Sequence, residues 1–370
     1  MQNYNRRQIV LQNGIGSTVF DKSGKQYIDC VSGIAVNNVG HCNPFVVDAI
    51  KTQAEQLIHV SNLYYTEIQA NLAEKLTEIS KLERVFFCNS GTEAIEASMK
   101  LARITTKKKN FIAAKNSFHG RTMGALSVTH TEKYRTPFEP LIQKVSFVPY
   151  NLSNSIKKSI TNDTAAVILE PLQGEGGINI PSKDYLKEVR EICDDTDTLL
   201  ILDEVQTGFG RTGKWFCKEH SKIEPDIMVM AKAIGGGFPM GAIASKEGIS
   251  FDKGEHASTF GGNPLGCAAA IGSIKAIKEE NLIQKSKEMG LYFKNKLNAI
   301  SNDIIIEVRG IGLMIGITIN SKYKCADIIS HAERQGVLLN CISESVIRIA
   351  PPLVITKKEI DEVVNVIENV

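Results

Sequence analysis

Two charged side chains at the ends of apolar runs are the residues best placed to do chemistry in this sequence. Leu199 to Leu202 ends on Asp203, and Ile227 to Ala231 ends on Lys232, with Gly235, Gly236 and Gly237 close behind. Both runs are too short for helices and read as fully buried strands. In an open parallel sheet, ligands sit beyond the carboxyl ends of the strands, so a carboxylate and an amine delivered there together suggest one site. Each has a plainer reading: Asp203 as a helix N-cap, and Lys232 as the point where the chain returns to water.

A third group sits upstream. The apolar run Val85 to Cys88 leads into Asn89-Ser90-Gly91-Thr92 and then a helix from about Glu93 to Arg103, with Ile95, Met99 and Ala102 on one face. Unbonded amides at a helix start, a glycine for close approach and two hydroxyls make an anion site, although this segment alone fits an ordinary N-cap equally well. Pyridoxal phosphate would use all three groups. Its aldehyde needs an amine to form an imine (Lys232), its ring nitrogen an acid to keep its proton (Asp203), and its phosphate a cradle (Ser90, Gly91, Thr92).

Two nucleotide-binding patterns overlap the same stretch and fail on context. Gly208 to Lys214 matches GxxxxGK, but Trp215 stands where a magnesium-binding Ser or Thr is required. Gly208 to Gly213 also matches GxGxxG, yet Asp203 to Thr207 separate it from its strand, and the next strand ends on Lys232 rather than an acid.

The 370 residues exceed one ordinary core. The texture divides them into an N-terminal segment (1–44), a large domain of strands alternating with helices (45–260) and a smaller α+β domain (261–370), against which the N-terminal segment packs. The alternation predicts an α/β fold with a mainly parallel sheet covered by helices on both faces. A hairpin should pair the Thr18 to Phe20 region with Gln26 to Ile28, and Thr356 with Glu359 should form a capping box for the last helix. A formal charge of +2 points to no polyanionic partner, and Lys107 to Lys109 read as a solvated loop. The polar start MQNYNRR and the lack of any run of membrane length lead us to expect a cytoplasmic protein with small-molecule substrates and neither nucleic acid nor membrane as partner. The eight cysteines form no CxxC pair and the seven histidines no ligand spacing, so no metal site and no disulfide is expected.

Taken in order, SGIAVNNVGHCNP, SNLYY, FFCNSGTEAIEASMKLAR, SFHGRTMGALS, EPLQGEGG, LLILDEVQTGFGRTGK, AKAIGGGFPMGA, STFGGNPLGCAAA and IRIAPPL make nearly the whole sequence resemble the class III aminotransferases of pyridoxal-phosphate fold type I, in the acetylornithine aminotransferase branch. The resemblance implies that Lys232 joins the cofactor and then shuttles protons, that Asp203 pairs with the ring nitrogen, and that Gln206 bonds the ring hydroxyl. It places Phe118 and Val205 on the two ring faces, and Gly91 and Thr92 on the phosphate with Thr259 from a second subunit, which makes a homodimer with shared active sites. For substrates it implies Arg121 as the grip on the distant carboxylate, Arg348 as the receptor of glutamate's α-carboxylate, and Glu175 as the switch that neutralises Arg348. His119 in FHGRT is similar to enzymes of acylated substrates, where ornithine aminotransferases tend to carry Trp. The activity implied is transfer of the terminal amino group of N-acetylornithine to 2-oxoglutarate, in arginine biosynthesis. The alternatives are the same chemistry on succinyl-diaminopimelate, ornithine or a carrier-protein-bound precursor, or a mutase or decarboxylase on the same fold.

Overall fold

A computed structural model describes residues 1–370. The strands are β1 (Leu11–Ile15), β2 (Thr18–Asp21), β3 (Gln26–Asp29), β4 (Arg84–Cys88), β5 (Asn110–Ala114), β6 (Val145–Val148), β7 (Thr164–Leu169) and β8 (Leu199–Asp203), followed by β9 (Ile227–Met230) and β10 (Gly241–Ser245). β11 (Ile305–Ile311), β12 (Met314–Ile319), β13 (Val337–Leu338), β14 (Asn340–Ser343) and β15 (Val346–Ile349) complete the set. They form three sheets: β4-β10-β9-β8-β7-β5-β6, β11-β12-β15-β14, and β1-β2-β3-β13.

The seven-stranded sheet is mainly parallel, as the alternation of strands and helices requires. β10 alone runs against its neighbours β4 and β9. Side chains alternate across a strand, and here both faces are covered: Met228 and Met230 enter one core with Leu72, Leu76 and Ala269, while Ile227 and Val229 enter another with Ala94, Ile95 and Met99. The same division holds in β7, where Val167 and Leu169 meet Leu186 and Val189 of the Tyr185–Asp195 helix and Ile168 faces the opposite way. Burial on both faces is why these strands read as unbroken apolar runs. The first of these cores continues into the C-terminal sheet through Ile315 and Ile347, and into the last helix through Val363.

The hairpin register is the expected one, Thr18 opposite Ile28 and Phe20 opposite Gln26, and Thr356 with Glu359 closes the capping box of the Lys357–Glu368 helix, a feature worth about 1 kcal/mol. One expected strand near 337–340 is two. Val337 and Leu338 pair with β3 of the N-terminal hairpin, whereas Asn340 begins a strand beside β15, so the chain changes sheets within three residues. The expectation of free cysteines also needs correction: Cys325 and Cys341 are bonded, with Cα atoms 6.2 Å apart, and the other six are free. A separation of 16 residues with no spacing motif leaves such a pair invisible in sequence. No helix is long and apolar enough to cross a membrane.

Candidate active site

Every parallel strand of the large sheet delivers its carboxyl end to the same edge. A cavity of about 450 Å³ opens there, lined from the turns after β4 (Ser90, Gly91, Thr92), β5 (Phe118, His119, Arg121), β7 (Glu170, Glu175), β8 (Asp203, Val205, Gln206) and β9 (Lys232). β8 and β9 are adjacent and parallel, with Asp203 opposite Val229, so the acid and the amine enter the cavity side by side. Lys232 itself takes a left-handed backbone, φ 48°. That conformation costs a non-glycine residue roughly 1–3 kcal/mol and is retained where surroundings impose it, most often at functional sites.

Asp203 is 5% exposed. One carboxylate oxygen bonds His119 Nδ1 at 2.7 Å and the other accepts the Val205 amide at 3.0 Å. The second ring nitrogen of His119, Nε2, is buried without a partner. Burial draws the Lys232 amine below its ordinary pKa, opposed by Glu175 and assisted by Arg348, which raises the fraction of neutral, nucleophilic nitrogen. Glu170, also in the wall, accepts the amides of Phe118 at 3.1 Å and Gly174 at 2.8 Å. Burial pushes its carboxyl up to about 7, with His119 pulling the other way and Asp203 adding to the rise.

A second polar group is built around Arg348, only 2% exposed on β15. Its Nη1 bonds the Glu175 carboxylate and, at 3.2 Å, the Gln206 side-chain oxygen, while Nη2 donates to Asn340 Oδ1 at 2.9 Å. Gln206 closes the group by donating to Glu175 at 3.2 Å. Burial pushes the Glu175 carboxyl up, but Arg348 and then Lys232 outweigh it and hold it below the usual range, so Glu175 is ionised at neutral pH. A side chain at Gly174 would strike the Gln206 carboxamide and displace it from this group. Arg121 is exposed at the mouth, its guanidinium 3.5 Å from the Tyr134 ring centroid and 5.5 Å from that of Phe118.

The segment expected as an anion cradle is the start of the Gly91–Thr106 helix, with Ser90 as its N-cap accepting the Glu93 amide at 3.3 Å. Bare backbone is required at Gly120 and favoured at Gly91. A Cβ at Gly91 would lie 3.1 Å from Val205, and one at Gly120 would lie 2.5 Å from the Thr92 hydroxyl. Helix amides, two hydroxyls, a buried acid held by a histidine and a depressed amine together suit a phosphate-bearing aromatic aldehyde with a basic ring nitrogen. Pyridoxal phosphate is such a molecule, and these residues fit it.

Eleven of the residues singled out in sequence line this one cavity: Ser90, Gly91, Thr92, Phe118, His119, Arg121, Glu175, Asp203, Val205, Gln206 and Lys232. Arg348 reaches it through Glu175 and Gln206. Thr259 does not line it and is exposed. Three further residues went unassigned in sequence. Glu170 was visible as a strand-end acid in EPLQGEGG; Asn340 and Tyr134 carried no local signal, because each acts by lying against an arginine that no periodic spacing pairs with it.

Fold and site together define a pyridoxal-phosphate enzyme of fold type I. The family model Aminotransferase class-III matches residues 1–370, and the chain belongs to that family; it is a pyridoxal-phosphate-dependent transaminase. It is 65% identical to the acetylornithine aminotransferase of Methanosarcina mazei over 369 residues, covering 100% of this chain and 93% of that one. Among solved structures, the ornithine aminotransferase of Toxoplasma gondii superposes with a TM-score of 0.96 at 31% identity, covering 100% of this chain and 91% of that one. The acetylornithine aminotransferase of Elizabethkingia anophelis does so with a TM-score of 0.89 at 31% identity, covering 100% and 95%.

Proposed function

We propose that this chain transfers the terminal amino group of N-acetylornithine to 2-oxoglutarate, as a cytoplasmic homodimer serving arginine biosynthesis. The observation that carries the reading is the Glu175–Arg348 pair beside Lys232. One pocket must accept glutamate, with a carboxylate next to the reacting amine, and also an acylornithine that has none there. A guanidinium cancelled by a carboxylate that can turn away serves both, whereas an unpaired buried guanidinium would cost about 3–5 kcal/mol in half of the cycle. The names carried by the close relatives agree with the acylated substrate.

When bound, pyridoxal phosphate supplies an aldehyde carbon that takes up the amino group and a ring that accepts the electrons released as the substrate carbon loses its proton. Lys232 would hold the cofactor through Nζ and would move the proton at the reacting carbon; burial lowers the pKa of that nitrogen and so leaves more of it neutral and able to accept the proton. Asp203, oriented by His119, keeps the ring nitrogen protonated. Ser90, Gly91 and Thr92 hold the phosphate, Phe118 and Val205 confine the ring, and Gln206 serves the ring hydroxyl. Arg121 binds the carboxylate far from the reacting amine. The exposure of Thr259, away from this chain's own cavity, supports its serving the site of a second copy.

A substrate panel with purified holoenzyme tests the reading. N-acetylornithine should show the highest kcat/KM with 2-oxoglutarate, above ornithine, succinyl-diaminopimelate and a carrier-bound precursor; a tenfold preference for any of these replaces it. Full activity in a species that sediments as a monomer would remove the shared site.

A further inference from the structure

We propose that Asn340 is the positioning residue that keeps Arg348 in place while a dicarboxylate occupies the site. The inference rests on the function proposed above and assigns it a component behind the pocket wall.

The guanidinium is divided between two parts of the molecule. Nη1 leads to the large sheet, where Glu175 and Gln206 follow β7 and β8; Nη2 leads to Asn340 within its own sheet. Asn340 and Arg348 are directly opposed on β14 and β15, where cross-strand Cβ atoms lie about 5 Å apart, so backbone pairing holds the acceptor in reach. Asn340 lies outside the active-site lining and instead borders two other grooves, one shared with Cys341 and one with Asp29 and His41. A substrate carboxylate entering the cavity therefore replaces Glu175 and leaves the Asn340 contact intact. The strand is held from outside as well, because Cys341, the next residue, is bonded to Cys325 at the start of the Cys325–Arg334 helix.

Residue type matters as much as position. The carboxamide is a neutral acceptor: it orients the guanidinium without spending the positive charge that must attract a carboxylate. An aspartate of the same shape would bond Nη2 equally well and neutralise Arg348 permanently, making the site resemble its acylornithine-accepting state throughout the cycle. Glu175 thus supplies a charge that comes and goes, and Asn340 supplies orientation that stays.

The test compares wild type, Asn340→Asp and Asn340→Ala as holoenzymes with equal cofactor content, and reads each half-reaction separately. For Asn340→Asp, KM for 2-oxoglutarate and Kd for the unreactive dicarboxylate glutarate, by calorimetry, should rise roughly 10- to 100-fold, the value of a charge-assisted bond and its associated charge. Conversion of the cofactor by N-acetylornithine in a single turnover should change less than about threefold on the same argument. Asn340→Ala, which adds no charge, should show the same asymmetry at about three- to tenfold. Equal losses in both half-reactions, or no change in the dicarboxylate constants of either variant, overturn the proposal. A wild type that neither turns over 2-oxoglutarate nor binds glutarate overturns the functional reading itself, and the two failures are told apart by that control.

Discussion

Replacing Arg211 with methionine sets two opposing effects against each other. Arg211 is wholly buried and has no acidic partner. Its Nη1 donates to the carbonyls of Leu313 at 2.9 Å and Pro351 at 2.5 Å, its Nη2 to the Asn38 side-chain oxygen at 2.5 Å, and its Nε has no partner. Burial pushes its pKa down to about 9, assisted by Arg348, so the side chain is charged at pH 7. It thereby ties the loop after β8 to the turn before β12, to the segment after β15 and to the N-terminal region. Methionine relieves the desolvation of the charge, a gain of several kcal/mol. It also removes three charge-assisted bonds of about 1.5–3 kcal/mol each and orphans three buried acceptors. The bonds outweigh the relief, leaving a net loss of about 3 kcal/mol. With an unfolding entropy of roughly 2 cal/mol/K per residue over a chain of this size, the melting temperature should fall by about 4 °C. Arg211→Ala adds a cavity and should fall about twice as far. The assay is thermal unfolding of the holoenzymes at one protein concentration and saturating cofactor. A methionine variant that melts at or above the wild-type temperature would refute the reasoning, because the burial cost of the charge would then dominate.

The buried acid after Asp203 makes a second case. Burial pushes Glu204 up to about 7 against the Thr207 hydroxyl and the Lys218 and Cys217 amides, so the folded protein keeps a proton that the unfolded chain releases near 4.5. Its contribution is present below pH 4.5 and is lost as pH rises through 7, by about 3 kcal/mol. The melting temperature of wild type minus that of Glu204→Gln should therefore fall from pH 5 to pH 8, because only the wild type loses this contribution; a signed difference that stays constant or rises contradicts the assignment. Glu175→Gln keeps the hydrogen bonds to Arg348 but not the charge, so glutamate should bind more tightly and the kcat/KM for N-acetylornithine should fall, by roughly tenfold or more. Steady-state kinetics of both half-reactions measure it, and equal changes for the two substrates would show that Glu175 does not act as a charge switch.

Sequence alone determined whatever depends on local pattern. The β7, β8 and β9 runs announce strands buried on both faces, the hairpin register follows from its turn, and Thr356 with Glu359 marks a helix start. Asp203, Lys232 and Ser90 to Thr92 were legible because strand ends of a parallel sheet share one edge, so an acid, an amine and an anion cradle at three such ends must converge. The tertiary structure decided what depends on which elements pair and how the loops lie against them. It reverses β10, splits residues 337 to 340 between two sheets, joins Cys325 to Cys341, lays Arg121 on Tyr134 and sets Asn340 behind Arg348. It also gives Lys232 its depressed pKa and Arg211 its three unrelated acceptors. A periodic pattern records which face of an element is buried. Which neighbour it is buried against follows from packing and hydrogen bonds summed over the whole chain, and the properties of Arg348, Arg211 and Lys232 are set by those neighbours.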